Sequence, residues 1–353
     1  MSDLNKQNEP MGFFQHGGDL YGMENAVDFS ASLNPLGMPV QAVRALKVAA
    51  ASFEAYPDPL CRDLVAALAE KEQVDASHIV ATAGASDAFS RVAAVLEPSK
   101  ALVCSPCYSG YEQALRPHRP RIVHHSLVQS ENFDVTERII DYIEPGIDLV
   151  IICSPNNPTG RVVDLGILEA ILAAADKCST KVLVDECFID FTGMPSCTSM
   201  LERFRNLIVV KALTKSHAMA GFRLGHVMCS DLGFVEELRL AGSPWAVSSP
   251  AQVAGVAALS VSGYLNLTRE YVETERTRLE EGLAELGMLV VPSKANFILF
   301  QSPKPLYEEM LARGFVIRRC ENFRGLDASW FRIAVRTTVQ NKKFLEALRG
   351  VMA

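Results

Sequence analysis

The sequence predicts an α/β protein with a large domain on a mostly parallel sheet and a small α+β domain after it. Short apolar runs carry the first part: Ala101–Cys104, Leu149–Cys153, Val182–Val184 and Leu207–Val210 read as strands buried on both faces. Helical stretches between several of them supply the crossovers that parallel strands need. Further on the pattern turns mostly helical, and short strands return only toward the C-terminus. The expected division is an N-terminal arm over 1–40 joining the small domain, a large domain over 41–245 and a small domain over 246–353.

Composition narrows the class of function. A chain of 353 residues, 49% hydrophobic and 21% charged, can bury a large core. The net charge of -7 offers no basic face to nucleic acid, and no Lys/Arg run points to an anionic membrane. Nine cysteines without dense regular spacing fit a reduced cytoplasm better than a disulfide framework. The polar start, Met1–Pro10, lacks the basic-then-apolar pattern of a signal peptide. No apolar run approaches the roughly 20 residues that span a bilayer. The expectation is a soluble cytoplasmic protein with neither nucleic acid nor membrane as partner.

Taken in order, Gly, Asn and Pro crowd Phe13–Pro39, which reads as irregular backbone with one short strand at Val27–Phe29. Pro39–Ala51 and Cys61–Val74 are helical in pattern on either side of the turn-rich Phe53–Pro59. Ile79–Thr82, the small residues Ala83–Asp87 and the helical Ala88–Val95 make a strand–turn–helix unit. Small residues at such a helix start leave backbone N–H groups for an anion. The strand Ala101–Cys104 ends in Ser105–Tyr111, where Tyr108 is placed to lie against a flat ring. The Cys104-x-x-Cys107 pair has no second pair and no His at ligand spacing, so no metal site is expected.

Leu149–Cys153 runs into Ser154–Gly160, then a helix at Leu165–Lys177, and Lys181–Glu186 closes a strand on two carboxylates. Leu207–Val210 ends in a polar turn carrying Lys215, and Arg223 follows eight residues later between Gly221 and Gly225. Helices are expected at Gly233–Ala241, Ser249–Ser262, Leu265–Leu286 and Leu306–Arg313. Short strands are expected at Met288–Val291, Phe297–Phe300, Val316–Arg319 and Phe331–Val335.

Asn157, Asp185 and Lys215 each follow a buried strand, and open α/β sheets bind ligands at the carboxyl ends of their strands. A lysine there can hold an aldehyde, and an aspartate can stay ionised beside a protonated pyridine nitrogen. An asparagine amide can donate to a ring oxygen, and an arginine can grip a phosphate. Together these are the requirements of pyridoxal 5'-phosphate. A nicotinamide dehydrogenase is disfavoured because no G-x-G-x-x-G follows any strand. A cofactor-binding regulatory module is disfavoured because no helix-turn-helix or basic domain is attached.

Ser-Pro-Asn-Asn-Pro-Thr-Gly (154–160), Val-Asp-Glu (184–186) and Leu-Thr-Lys followed by Gly-Phe-Arg-Leu-Gly (213–225) resemble fold-type I pyridoxal-phosphate enzymes. The histidinol-phosphate aminotransferase branch is the most similar group. Within it, His16-Gly17-Gly18, the stretch Asp28–Pro39, Pro244–Val247 and Phe331–Arg336 resemble the subgroup that decarboxylates threonine phosphate in cobalamin biosynthesis. The resemblance implies the aspartate aminotransferase-like fold and a role for each matching residue. Lys215 would carry the Schiff base, Asp185 would pair with the pyridine nitrogen, Asn157 would bond the ring hydroxyl oxygen and Tyr108 would stack on the ring. Arg223 and Thr214, with Gly84, Ala85 and Ser86, would hold the cofactor phosphate. Tyr56 would reach that phosphate from the partner subunit of a homodimer. Arg332 would bind the substrate carboxylate, Arg318 would be a second anion ligand, and His16 with the loop around Asn34 would close over the substrate.

The sequence departs from the branch at three places. Phe188 stands where the aminotransferases carry a tyrosine that donates to the ring oxygen, a loss shared with the decarboxylase subgroup. Ala212 stands where many relatives place a hydroxyl on the phosphate, and the segment between Gly18 and Val27 is abbreviated. The implied activity is decarboxylation of a phosphorylated amino acid, foremost threonine phosphate. The alternative is a histidinol-phosphate-type aminotransferase passing an amino group to 2-oxoglutarate.

Overall fold

A computed structural model describes residues 17–23 and 25–353, so His16 lies outside the described residues. The chain opens with β1 (Val27–Asp28), α1 (Val40–Ala49) and α2 (Arg62–Glu72). Next come β2 (Ile79–Thr82), α3 (Ala85–Leu96), β3 (Lys100–Ser105), α4 (Gly110–Leu115) and β4 (Arg121–Ser126). The middle follows as β5 (Leu149–Cys153), α5 (Leu165–Lys177), β6 (Lys181–Asp185), β7 (Leu207–Ala212), α6 (Leu213–Ser216) and β8 (Gly225–Met228). Helices α7 (Leu232–Leu240), α8 (Ser249–Leu259) and α9 (Tyr264–Glu285) lead to β9 (Leu289–Val290) and β10 (Phe297–Gln301). The chain closes with α10 (Tyr307–Ala312), β11 (Phe315–Val316), β12 (Arg318–Arg319), β13 (Trp330–Ala334) and α11 (Thr338–Met352).

The seven-stranded sheet has the order β2-β8-β7-β6-β5-β3-β4. Its strands β7, β6, β5, β3 and β4 are parallel, while β8 runs antiparallel to both β7 and β2. Every residue of β5 and β7 is buried, as continuous apolar runs require when helices cover both faces. Helix α5 shows how a cover forms. Asp164 caps its start by accepting from the N–H groups of Gly166 and Ile167, and Leu168, Ile171, Leu172 and Ala175 bury one face. A second sheet, β12-β13-β10-β9, is antiparallel, and β1 pairs in parallel with β11.

The structure adds α4, β4, α6, β8 and α11 to the expected set and splits another element. Strand β4 is a polar, half-exposed edge (Arg-Ile-Val-His-His-Ser) with no apolar run to announce it. Strand β8 has only four residues and begins at Gly225, where a Cβ would lie 2.8 Å from the Gly84 carbonyl carbon. Helix α11 starts on a Thr337–Gln340 capping box and buries Asn341, Phe344, Leu345 and Leu348 on one face. The strand expected over Val316–Arg319 divides at Ile317, β11 serving one sheet and β12 the other.

Side-chain packing shows which helices lie against which sheet. Val247, Ala251, Ala254 and Ala258 pack in one cluster with Ala42, Leu64 and Leu68, so α8 goes with the large sheet. Gly255 permits this close approach, since a Cβ there would meet Leu224 Cδ2 at 2.6 Å and Leu64 Cδ1 at 2.8 Å. The second core joins Val272, Leu279, Phe297, Ile333 and Phe344 to Phe29 of the N-terminal segment and to Phe188, Phe191 and Ala212.

A buried ionic cluster ties α2 to β7 and to the turn after β6. Lys211 Nζ lies 2.7 Å from Glu72 Oε2 and 3.6 Å from Asp190 Oδ1, and Lys71 Nζ bridges the same carboxylates at 2.7 and 3.2 Å. Burial opposes the Lys211 charge most, yet Asp190, Glu72 and Glu186 outweigh it and hold the ammonium above its ordinary range. Removing one member of such a group leaves buried charge without compensation. Lys211→Met is expected to lower unfolding stability by about 3–5 kcal/mol, measured by urea titration at neutral pH.

Candidate functional site

The carboxyl ends of β5, β6 and β7 open into a cavity of about 270 Å³. Its walls include Asn157, Asp185, Lys215, Arg223, Arg318 and Arg332. Parallel strands place these ends at one edge of the sheet, which brings residues distant in sequence together.

Lys215 stands on α6, a single helical turn directly after β7. Its amine is lowered to about 8, first by burial and then by the Arg332 guanidinium, with Arg223 adding to the shift. Asp185 ends β6, and its carboxylate accepts from the Tyr111 hydroxyl at 2.6 Å and from the Cys187 N–H at 2.9 Å. Burial raises the Asp185 carboxyl, while these bonds pull the other way. A buried carboxylate of this kind calls for a cation in front of it.

Tyr111 is the residue that sequence reasoning missed. The available signal was its position three residues after Tyr108 in the same turn, and the two rings meet edge to face at 5.6 Å. Tyr108 itself lines the cavity, and Gly110 makes room for it: a Cβ on Gly110 would fall 2.1 Å from Tyr108 Cε1.

Arg223 reaches the cavity from a left-handed backbone conformation (φ 54°), with its Nη1 donating to the Ala220 carbonyl at 3.0 Å. Its Nη2 would be 2.9 Å from a Cβ on Gly84, so only glycine leaves the guanidinium its place. Gly84 also precedes α3, whose first residues Ala85 and Ser86 line the cavity. The unsatisfied N–H groups of that helix start and Arg223 therefore face one spot, a cradle for a phosphate. Thr214 lies on the same wall.

Arg332 lies on β13 directly opposite Arg318 of β12. Like charges directly opposite on an antiparallel pair repel, so the arrangement favours an anion between or in front of them. Arg332 donates Nη1 to the Asn157 side-chain oxygen and Nη2 to the Ser30 carbonyl at 2.9 Å, both neutral acceptors. Because the Asn157 oxygen faces Arg332, its amide nitrogen is left to donate elsewhere. Arg318 donates to Asn322 at 2.8 Å and lies over the Phe323 ring. Phe188 presents a hydrocarbon ring to the cavity and packs edge to face on Phe297 at 4.9 Å.

One expected residue stands elsewhere, and another lies outside this chain's own cavity, as a residue meant for a partner's site would. Asn34 is only 3% exposed, and its side chain is taken up by Ser216, Thr268 and Leu36, so it braces the lysine turn instead of closing over the cavity. The cavity wall in that segment is made by Gly17, Ser30, Ala31 and Ser32. Tyr56 is 81% exposed outside the cavity, stacked on Trp245 with ring centroids 4.8 Å apart.

A half-buried amine, a buried carboxylate and a phosphate cradle on one sheet edge belong to a known class of enzyme. Residues 24–348 match Aminotransferase class I and II, and the chain belongs to that family, whose members depend on pyridoxal phosphate. Among relatives, it is 34% identical to the threonine-phosphate decarboxylase of Salmonella typhimurium, across 93% of this chain and 92% of that protein. It is 30% identical to the histidinol-phosphate aminotransferase of Methanothermobacter thermautotrophicus, across 94% of this chain and 90% of that one. The crystal structure of the histidinol-phosphate aminotransferase from Clostridium acetobutylicum superimposes with a TM-score of 0.86 at 29% identity, covering 92% of this chain and 98% of that one.

The lysine shift has a direct readout. A neutral amine is the nucleophile, so a depressed ammonium pKa enlarges the reactive fraction at lower pH. In cofactor-free protein, labelling of Lys215 by an acylating reagent, located by peptide mass, is expected to reach half its maximum near pH 8 and to fall as pH drops. A midpoint near the ordinary lysine value of 10.5 would contradict the buried, cation-flanked setting.

Proposed function

We propose that this chain binds pyridoxal 5'-phosphate and decarboxylates a phosphorylated amino acid, foremost L-threonine phosphate, to yield aminopropanol phosphate for cobalamin biosynthesis. The observation that carries it is the pair of guanidiniums, Arg223 and Arg332, flanking Lys215 and bonded only to neutral acceptors among the described residues. One fits the cofactor's phosphate and the other a substrate anion, with Arg318 beside it for a second anionic group.

The residues present fit the cofactor. The cradle at Gly84, Ala85, Ser86, Thr214 and Arg223 would hold its phosphate, and Tyr108 would cover one face of its ring. Asp185 would face the pyridine nitrogen, Asn157 would donate to the ring oxygen, and Lys215 would hold the aldehyde. When bound, the cofactor supplies an electron sink for the pair left by a bond broken at the substrate α-carbon.

The protein's own part is orientation and proton handling. Arg332 would grip the carboxylate and set its torsion, and that torsion would decide which bond at the α-carbon breaks. The Lys215 amine is placed to return a proton to that carbon after carbon dioxide leaves. If the torsion selects the α-hydrogen instead, the same amine would remove it, which is the aminotransferase outcome. Phe188 supports the first reading, since its ring offers no hydroxyl to the ring oxygen. Similarity to histidinol-phosphate aminotransferases supports the second.

A homodimer completes the proposal. The exposed Tyr56–Trp245 stack suits burial against a second copy, from which Tyr56 would reach the other cofactor phosphate. The nine free cysteines support a cytoplasmic setting.

Protein supplied with pyridoxal phosphate and O-phosphothreonine is expected to release carbon dioxide, and Lys215→Ala to abolish it. Keto product alone, formed only with 2-oxoglutarate, would move the assignment to transamination. Arg332→Ala is expected to lower kcat/KM by the equivalent of about 2–4 kcal/mol, read from initial rates. Sedimentation equilibrium is expected to return the mass of two chains, and a single-chain mass at micromolar concentration would remove the shared site.

A further inference from the structure

Lys215 stands on the helical turn after β7 of the large sheet and Arg332 on β13 of the small one, so neither sheet alone sets the gap between amine and guanidinium. One five-residue segment, Ser30–Asn34, touches both. At its near end the Ser30 carbonyl accepts from Arg332 Nη2 at 2.9 Å. At its far end the Asn34 N–H donates to the Lys215 carbonyl at 3.1 Å, and Asn34 Nδ2 donates to the Ser216 carbonyl at 2.7 Å. Between them the Leu33 carbonyl accepts from Asn296 at 3.2 Å, and just before them the Phe29 carbonyl accepts from the Ala334 N–H at 2.8 Å.

The Asn34 side chain has no freedom left. Nδ2 also donates to Thr268 Oγ1 at 2.9 Å, and Thr268 spends its own proton on the Tyr264 carbonyl at 2.9 Å, so its oxygen can only accept. Oδ1 accepts from the Leu36 N–H at 2.9 Å. A one-turn helix such as α6 has carbonyls without intrahelical partners, and Asn34 reaches two of them, that of Lys215 with its backbone N–H and that of Ser216 with its buried side-chain amide.

We propose that Asn34 is a positioning residue that ties the lysine turn to α9 and, through Ser30–Asn34, holds the Lys215 amine at a set distance from the Arg332 guanidinium. It thereby biases which bond at the substrate α-carbon faces the lysine. This second part rests on the decarboxylase reading; the first does not. Loss of the tie lets the turn loosen toward water, and the amine then regains hydration while Arg332 keeps its own partners.

Two readouts separate the parts. In cofactor-free Asn34→Ala the pH midpoint of Lys215 labelling is expected to move up from about 8 toward the ordinary 10.5, and Thr268→Val, which removes one anchor, is expected to move it less. In the loaded enzyme with O-phosphothreonine, Asn34→Ala is expected to lower the ratio of carbon dioxide to keto product about tenfold, with kcat changing more than KM. An unchanged midpoint in both variants overturns the positioning role, whatever the loss of thermal stability. A shifted midpoint with an unchanged product ratio overturns the control of bond choice. Wild-type protein that releases no carbon dioxide removes the decarboxylase reading, and the labelling midpoint still decides the tie. Should Asn34→Ala fail to fold, Thr268→Val decides alone, by a midpoint that moves or stays.

Discussion

Lys215 is half-buried in a cavity that Arg332 and Arg223 also line, and its charge is opposed first by lost hydration and then by both guanidiniums. That conflict keeps the amine nucleophilic near neutral pH. It also demands a scaffold that will not relax to relieve it. The fully buried β7, the Lys211–Glu72–Asp190 cluster beneath it and the Asn34 brace above α6 each remove a way for the turn to yield. Much of the surrounding structure serves to hold one cation where water would be more comfortable.

The opposite side of the cavity works by the complementary rule. Asp185 is a buried acid whose charge is kept by hydrogen bonds from Tyr111 and the Cys187 amide, short of a full counter-ion. An ionised carboxylate in that setting gains most from a cation delivered with the ligand. The cavity thus pairs a suppressed cation with an unsatisfied anion, and a ring that carries an aldehyde and a basic nitrogen answers both.

The anion-binding groups divide by origin. Arg223 and the start of α3 come from the large sheet and need Gly84 for their approach. Arg332 and Arg318 come from adjacent antiparallel strands of the small sheet, held apart by neutral acceptors and the Phe323 ring. A ligand with an anionic group at each end spans both sheets, so the N-terminal segment that links them also governs the substrate's posture.

Sequence alone determined the parallel core, the strand-end positions of Asn157, Asp185 and Lys215, and the glycine-flanked Arg223. These follow from local rules: continuous apolar runs make buried strands, and buried parallel strands end at a common edge. Other features were decided only by tertiary structure. Tyr111 matters through one hydroxyl donated to Asp185, a contact that spacing does not encode. Asn34 could equally have faced a ligand or the Lys215 turn, and only the arrival of α9 with Thr268 settles it. The seat of α8, the split of Val316–Arg319 between two sheets and the polar edge strand β4 are of the same kind. Each depends on what packs beside the segment, and a periodicity reads only the segment itself.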